Sequence, residues 1–147
     1  MRCFQNYLGL RRNSLGLEFD LFLGFSGDLS LLGLLLGLLV CALGGRCRRV
    51  QGALEISGGR LGAWAGAGVG PFGVTALTLG HVILGSSAQM LDGLRAHEQV
   101  HVRQYERWGL FFVPAYLGSS LWQLLHGRHV YRDNCFEREA FGAELKR

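Results

Sequence analysis

Residues Leu29 to Gly45 carry no charge and are mostly leucine. A run of this kind must leave water somewhere, because hydrating apolar surface is unfavourable. About 17 residues is the short end of what crosses a bilayer core of roughly 30 Å. Asp28 closes one end of the run, and Arg46, Arg48 and Arg49 close the other. A membrane helix over 29–45 is therefore expected, with a buried core helix as the alternative. A secretory signal fits poorly, because the lead-in over 1–28 is interrupted by Glu18, Asp20 and Asp28. The three arginines lean the following domain towards the cytoplasm. Gly33 and Gly37 stand four residues apart, a spacing that lets two helices approach in lipid and so offers a homo-oligomer contact.

The chain has 147 residues, enough for one domain, here expected over 50–147. Charged residues make up 18%, below the roughly 25% of ordinary soluble domains. That favours membrane lipid as a partner. The basic residues are almost all arginine and are scattered. No basic run with interleaved aromatics occurs, so nucleic-acid binding is not expected. Cys3, Cys41, Cys47 and Cys135 form no CxxC pair, which argues against a thiolate metal site or a disulfide framework.

From Val50 to Gly85 glycine and β-branched residues predominate. Ala53–Ser57 alternates and is followed by Gly58-Gly59, a hairpin signal, with 60–64 as the returning strand. Gly66–Gly73 lacks the lysine of a phosphate loop and reads as a turn. Residues 74–79 and 81–84 read as one bent strand or two short ones, broken at Gly80. A small antiparallel sheet thus precedes the next helix, which Ser87 or Asp92 could cap and Gly109 would end.

That helix carries His97-Glu98-Gln99-Val100-His101. Residues four apart share one helix face, so the two imidazoles can share one metal ion. Zinc bonds an imidazole nitrogen at about 2.0–2.1 Å. Glu98 lies roughly 100° around the helix, placed to act on a metal-bound water as general base rather than as a ligand. Leu94, His97, His101, Gln104, Tyr105 and Trp108 form one inward stripe. Gln104, one turn after His101, is placed to hydrogen-bond into the site.

A third ligand is sought downstream among His126, His129, Glu137 and Glu139. Glu137 shares its face with Ala140 and Phe141, which should pack inward, so it is the preferred ligand. Glu139 is the alternative, although it points roughly 200° away. Asn134 and Glu137 also fit a capping box, the structural explanation for the same glutamate. His81 reads as a structural histidine. Tyr116 or Tyr131 could donate to a developing oxyanion. Residues 110–125 read as a helix that packs on the metal helix and touches the membrane.

Thr78-Leu79-Gly80, His97-Glu98-x-x-His101 continuing to Gly109, and Tyr131-x-x-Asn134-x-Phe136-Glu137-x-Glu139-Ala140 resemble a set of small bacterial membrane-associated proteins of uncharacterised function. More distantly they are similar to the gluzincin class of zinc metallopeptidases. The resemblance covers roughly residues 76–141. It implies a zincin-like domain with Zn2+ held by His97, His101 and Glu137, with Glu98 catalytic and a peptide or protein substrate. The chain departs from the pattern at Cys135, where the related set usually has proline. It departs again at Ala140-Phe141, where many membrane gluzincins have Ala-Asp and the aspartate partners a ligand histidine.

The expected fold is α+β: an N-terminal membrane helix, a small antiparallel sheet, the HExxH helix, a packing helix and a short C-terminal helix. The expected function is a membrane-associated zinc hydrolase. The rival is a non-catalytic membrane protein with a structural metal.

Overall fold

A computed structural model describes residues 17–60 and 76–145. The elements run α1 (Leu17–Ala42), β1 (Gly45–Val50), β2 (Ala53–Gly58), β3 (Ala76–Leu79), β4 (Val82–Gly85), α2 (Ala88–Trp108), a 3-10 turn (Gly109–Phe111), α3 (Phe112–Leu125) and α4 (Cys135–Glu144). The strand order is β1-β2-β4-β3. This is an α+β arrangement, as the sequence suggested.

The sheet itself is mixed, which corrects the antiparallel expectation. β1–β2 and β3–β4 pair antiparallel, but β2 and β4 run parallel, with Leu54 opposite Val82 and Ile56 opposite Leu84. Burial explains the insertion of β4 beside β2. Successive strand residues face opposite sides of a sheet, and Val82 and Ile83 are both almost fully buried. A strand apolar on both faces suits the sheet centre. β3, with Leu77 exposed, is left at an edge of the described sheet. The other edge, β1, carries Arg46, Arg48 and Arg49, and charge on an edge strand discourages pairing with a further chain.

The first hairpin also differs from expectation. β1 and β2 are joined by Gln51 and Gly52, both at positive φ (50° and 86°). Two-residue hairpin loops favour that conformation, and glycine enters it without strain. The strand expected over 60–64 lies outside the described residues beyond Arg60, as does the whole turn over 66–73.

The expected membrane span over 29–45 is overturned. Among the described residues no helix is long and apolar enough to cross a membrane. α1 instead lies along its own sheet, through the two glycines that had suggested helix pairing. A Cβ on Gly33 would sit 2.8 Å from Val82 Cβ, and one on Gly37 would sit 2.2 Å from Ile56 Cδ1. The small-residue face that offered a contact to a second copy is thus filled by the sheet of the same chain. Leu31, Leu35 and Leu38 on the other side of α1 remain exposed.

α2 covers the opposite face of the sheet. Ala53, Ile83, Leu91 and Val102 form the core between them. A second apolar cluster, of Tyr105, Phe112 and Phe136, joins α2, α3 and α4. Its rings meet edge to face, with Tyr105–Phe112 centroids 4.4 Å apart and Phe112–Phe136 centroids 5.2 Å apart, a favoured aromatic geometry. This cluster fixes the end of α2 that carries the histidines against α4.

Candidate metal centre

Helix α2 begins and ends where the sequence indicated. The Ser87 side chain accepts from Met90 N, and Gly109 closes the helix with its N–H bonded to Tyr105 O. Between these caps the His97, Glu98, His101 and Gln104 side chains are all buried.

α4 is aimed by its own cap. Asn134 is fully buried; its Oδ1 accepts from Phe136 N at 3.0 Å, and its Nδ2 donates to Tyr116 O and Ser120 Oγ of α3. Cys135 N donates to Ser119 Oγ at 3.1 Å, so the amide that a proline would lack is satisfied. Glu137 is left clear of this cap. Its Oε1 accepts from Tyr116 Oη at 2.7 Å, and its carboxylate faces the histidines.

The three side chains converge. His97 Nε2 lies 3.1 Å from His101 Nε2 and 3.1 Å from Glu137 Oε2, and His101 Nε2 lies 3.4 Å from Glu137 Oε1. Four ligands placed tetrahedrally at 2.0–2.1 Å from zinc stand about 3.3 Å from one another. The observed edges match that spacing. Glu137 Oε2 is buried and, despite its closeness to His97, has no aligned hydrogen-bond partner. His97, His101 and Glu137 together form a buried group able to hold a metal ion.

Hydrogen bonding fixes how His101 enters this group. Gln104 Nε2 donates to Phe136 O at 3.1 Å and to Glu139 Oε2 at 3.0 Å, so the amide oxygen is the end that meets His101 Nδ1, at 2.8 Å. An amide oxygen only accepts, so Nδ1 carries the proton and Nε2 offers its lone pair to the centre. Burial pushes the His101 imidazole down, but the hydrogen bond and charge of Glu137 outweigh it and raise the group. Burial pushes the Glu137 carboxyl up, but hydrogen bonds from His101, His97 and Tyr116 leave it well below the usual carboxylate range. Both shifts come from the pairing of Glu137 with the histidines themselves.

Glu98 projects to the flank. Its Oε2 accepts from Thr78 Oγ1 of β3 at 2.6 Å, which ties the carboxylate to the sheet edge. Burial, and then the charge of Glu137, push the Tyr131 hydroxyl far above its ordinary value, so it stays protonated. The Tyr116 hydroxyl is raised by burial and by its bond to Glu137.

The remaining candidates lie elsewhere. Glu139 takes the Gln104 amide and sits 3.8 Å from Arg107, apart from the histidines. His126 Nδ1 meets Trp122 O, and His129 Nδ1 accepts two backbone amides of its own loop. His81 pairs with Glu106 at 3.2 Å near the surface. Asp92 does not cap α2 but meets Arg48 and Arg95.

Sequence reading missed two groups. Thr78 was marked only as part of the Thr78-Leu79-Gly80 resemblance, with no role assigned to it. Glu144, whose Oε1 is 2.9 Å from His97 Nδ1, did have one: with Glu137 and Phe141 it falls on one stripe of α4.

Comparison with known proteins adds nothing to this geometry: no family model, curated protein or solved structure matches the chain.

Proposed function

We propose that this chain is a zinc-dependent hydrolase of the gluzincin kind, acting on peptide or protein substrates. The observation that carries the reading is the convergence of His97, His101 and the Glu137 carboxylate, whose ligand atoms lie within 4.8 Å of one another. Two nitrogens and one carboxylate are the donor set of a catalytic zinc site with an open fourth position. Zinc bound there would supply a Lewis acid that acidifies water and polarises a carbonyl.

The rest of the chemistry falls to the chain. Thr78 engages one oxygen of Glu98, and the other is the base that takes a proton from the attacking water and passes it to the leaving amine. The Tyr131 hydroxyl, kept protonated by its surroundings, is the donor to the developing oxyanion. β3, at an edge of the described sheet and tied to Glu98 by Thr78, offers its backbone to an extended peptide. β4 is internal and offers no such edge.

A second reading, a metal that only holds the fold together, is favoured by the depth of the site, where Glu98 is 6% exposed and Glu137 3%. Glu98→Gln separates the two. The hydrolase reading expects peptide hydrolysis to fall roughly 10²–10⁴-fold with zinc content unchanged. Wild-type zinc protein inert towards a peptide library would sink it.

Lipid attachment without crossing is the location we propose. Its support is the exposed apolar surface of α1 (Leu31, Leu35, Leu38) and α3 (Leu117, Leu121, Trp122). The chain should sediment with phospholipid vesicles, and its staying in the supernatant would refute the attachment.

A further inference from the structure

We propose that Glu144 is the positioning residue for His97: its carboxylate accepts the Nδ1 proton and so turns an unprotonated Nε2 towards the metal. The proposal rests on the metal-centre reading and assigns that centre a residue outside the HExxH pattern. Glu144 Oε1 lies 2.9 Å from His97 Nδ1. Both atoms are fully buried, and neither has an aligned hydrogen-bond partner, the other included. Buried polar atoms without partners are rare, and at 2.9 Å a small turn of the Glu144 carboxylate satisfies both. An ionised carboxylate can only accept. The proton between them therefore sits on Nδ1, and a neutral imidazole then keeps its lone pair on Nε2.

That nitrogen is the one facing His101 and Glu137, each at 3.1 Å. One helix supplies three of the side chains around the ring. Glu137 stands at one nitrogen and Glu144 at the other, seven residues apart on one stripe of α4. Phe141, between them in sequence, sets its ring edge to face against His97 at 5.0 Å. His101 is held in the same sense by a neutral group, the Gln104 amide. The two ligands therefore differ. His97 has an anionic partner, which raises its basicity as a donor, and His101 does not.

The test measures zinc affinity of the full chain by competition with a chromophoric chelator. Wild type should bind one zinc, and His97→Ala should not. Glu144→Ala should weaken binding by about 10–100-fold. Glu144→Gln should weaken it less, because the amide oxygen accepts the same proton without the charge. In a nitrogen-15 spectrum of the zinc-loaded wild type, the His97 proton should appear on Nδ1 and lose its protection in Glu144→Ala. A residue that merely steadied the helix would move the melting temperature and leave that signal in place. Glu144→Ala binding zinc as tightly as wild type would overturn the assignment while leaving the centre standing. Absence of zinc from the wild type would overturn both. Should Glu144→Ala not fold, the Glu144→Gln affinity and the wild-type signal decide alone, and an unchanged affinity with a mobile proton rejects the proposal.

Discussion

Two clusters of charge are buried against helix α2, and they are built on opposite principles. At its N-terminal half, Glu55 of β2 is 2% exposed, and both its oxygens are engaged by arginines. Arg48, directly across the β1–β2 ladder, reaches Oε2 at 2.7 Å, and Arg95 reaches Oε1 at 3.0 Å. Asp92 bridges the same two guanidiniums from outside. Both Glu55 oxygens there have a guanidinium donor. One turn further on, His97, His101 and Glu137 bring lone pairs together, and Glu137 Oε2 has no aligned donor. The first cluster is complete as it stands. The second leaves a carboxylate oxygen open and could hold a metal ion. Glu55 and Glu137 are equally buried, so what separates a structural ion cluster from a binding site is the count of donors against acceptors.

Metal removal is the strongest way to break this contrast. Zinc at about a thousand times its dissociation constant should stabilise the chain by about 4 kcal/mol, and a chelator should reverse it. His101→Ala and Glu137→Ala should abolish that response in thermal unfolding. A melting temperature indifferent to zinc in the wild type would show that the open cluster is satisfied some other way. Glu55→Gln is the converse experiment. It leaves two arginines facing an uncharged amide and should cost about 2–3 kcal/mol, less than a fully buried pair because Arg48 is 40% exposed. Zinc stoichiometry should stay at wild type. Loss of zinc in a folded Glu55→Gln protein would mean that the two clusters are one.

The contrast also shows what a sequence can reveal. The spacing of His97 and His101 sets their shared face whatever surrounds the helix, so that half of the site was legible. Glu137 was legible because Ala140 and Phe141 mark its face as the packed one. The closed cluster was not, since Arg48, Glu55 and Arg95 meet only once strand register sets Arg48 opposite Glu55. The fate of 29–45 was not legible for a similar reason. A glycine pair in a leucine helix packs equally well on another helix or on a sheet, and only the buried β4 beneath Gly33 decides between them. β4 itself, with Val82 and Ile83 apolar on both faces, already hinted at a strand covered from two sides.

A smaller effect sharpens the catalytic side of the open cluster. Thr78→Val removes the hydroxyl that donates to Glu98 Oε2. Valine keeps the shape and the strand preference, so the fold should persist at a cost of about 1.5–3 kcal/mol for the lost bond to a charged group. Zinc affinity should be unchanged, because Thr78 touches no ligand. The loss should fall on kcat, since a freed carboxylate is less well aimed. An unchanged kcat would show that Glu98 is positioned by something other than β3.

The smallest effect is a pH dependence in the closed cluster. Hydrogen bonds from Arg48, and next from Arg95, hold the Asp92 carboxyl below its ordinary range. A carboxyl lowered on folding adds stability that is fully present above its unfolded value, near 3.9. That stability is lost as pH falls through the lower folded value. Asp92→Asn removes the titration, so its melting temperature should fall less steeply than wild type below about pH 4 and run parallel to it above. The offset at neutral pH should be slight, because Asp92 is exposed and water and salt screen the pair. The zinc response should be the same in both proteins at every pH where the fold holds. A variant curve that parallels wild type through the acid range would show that the arginines answer to Glu55 alone, and that the closed cluster is closed without Asp92.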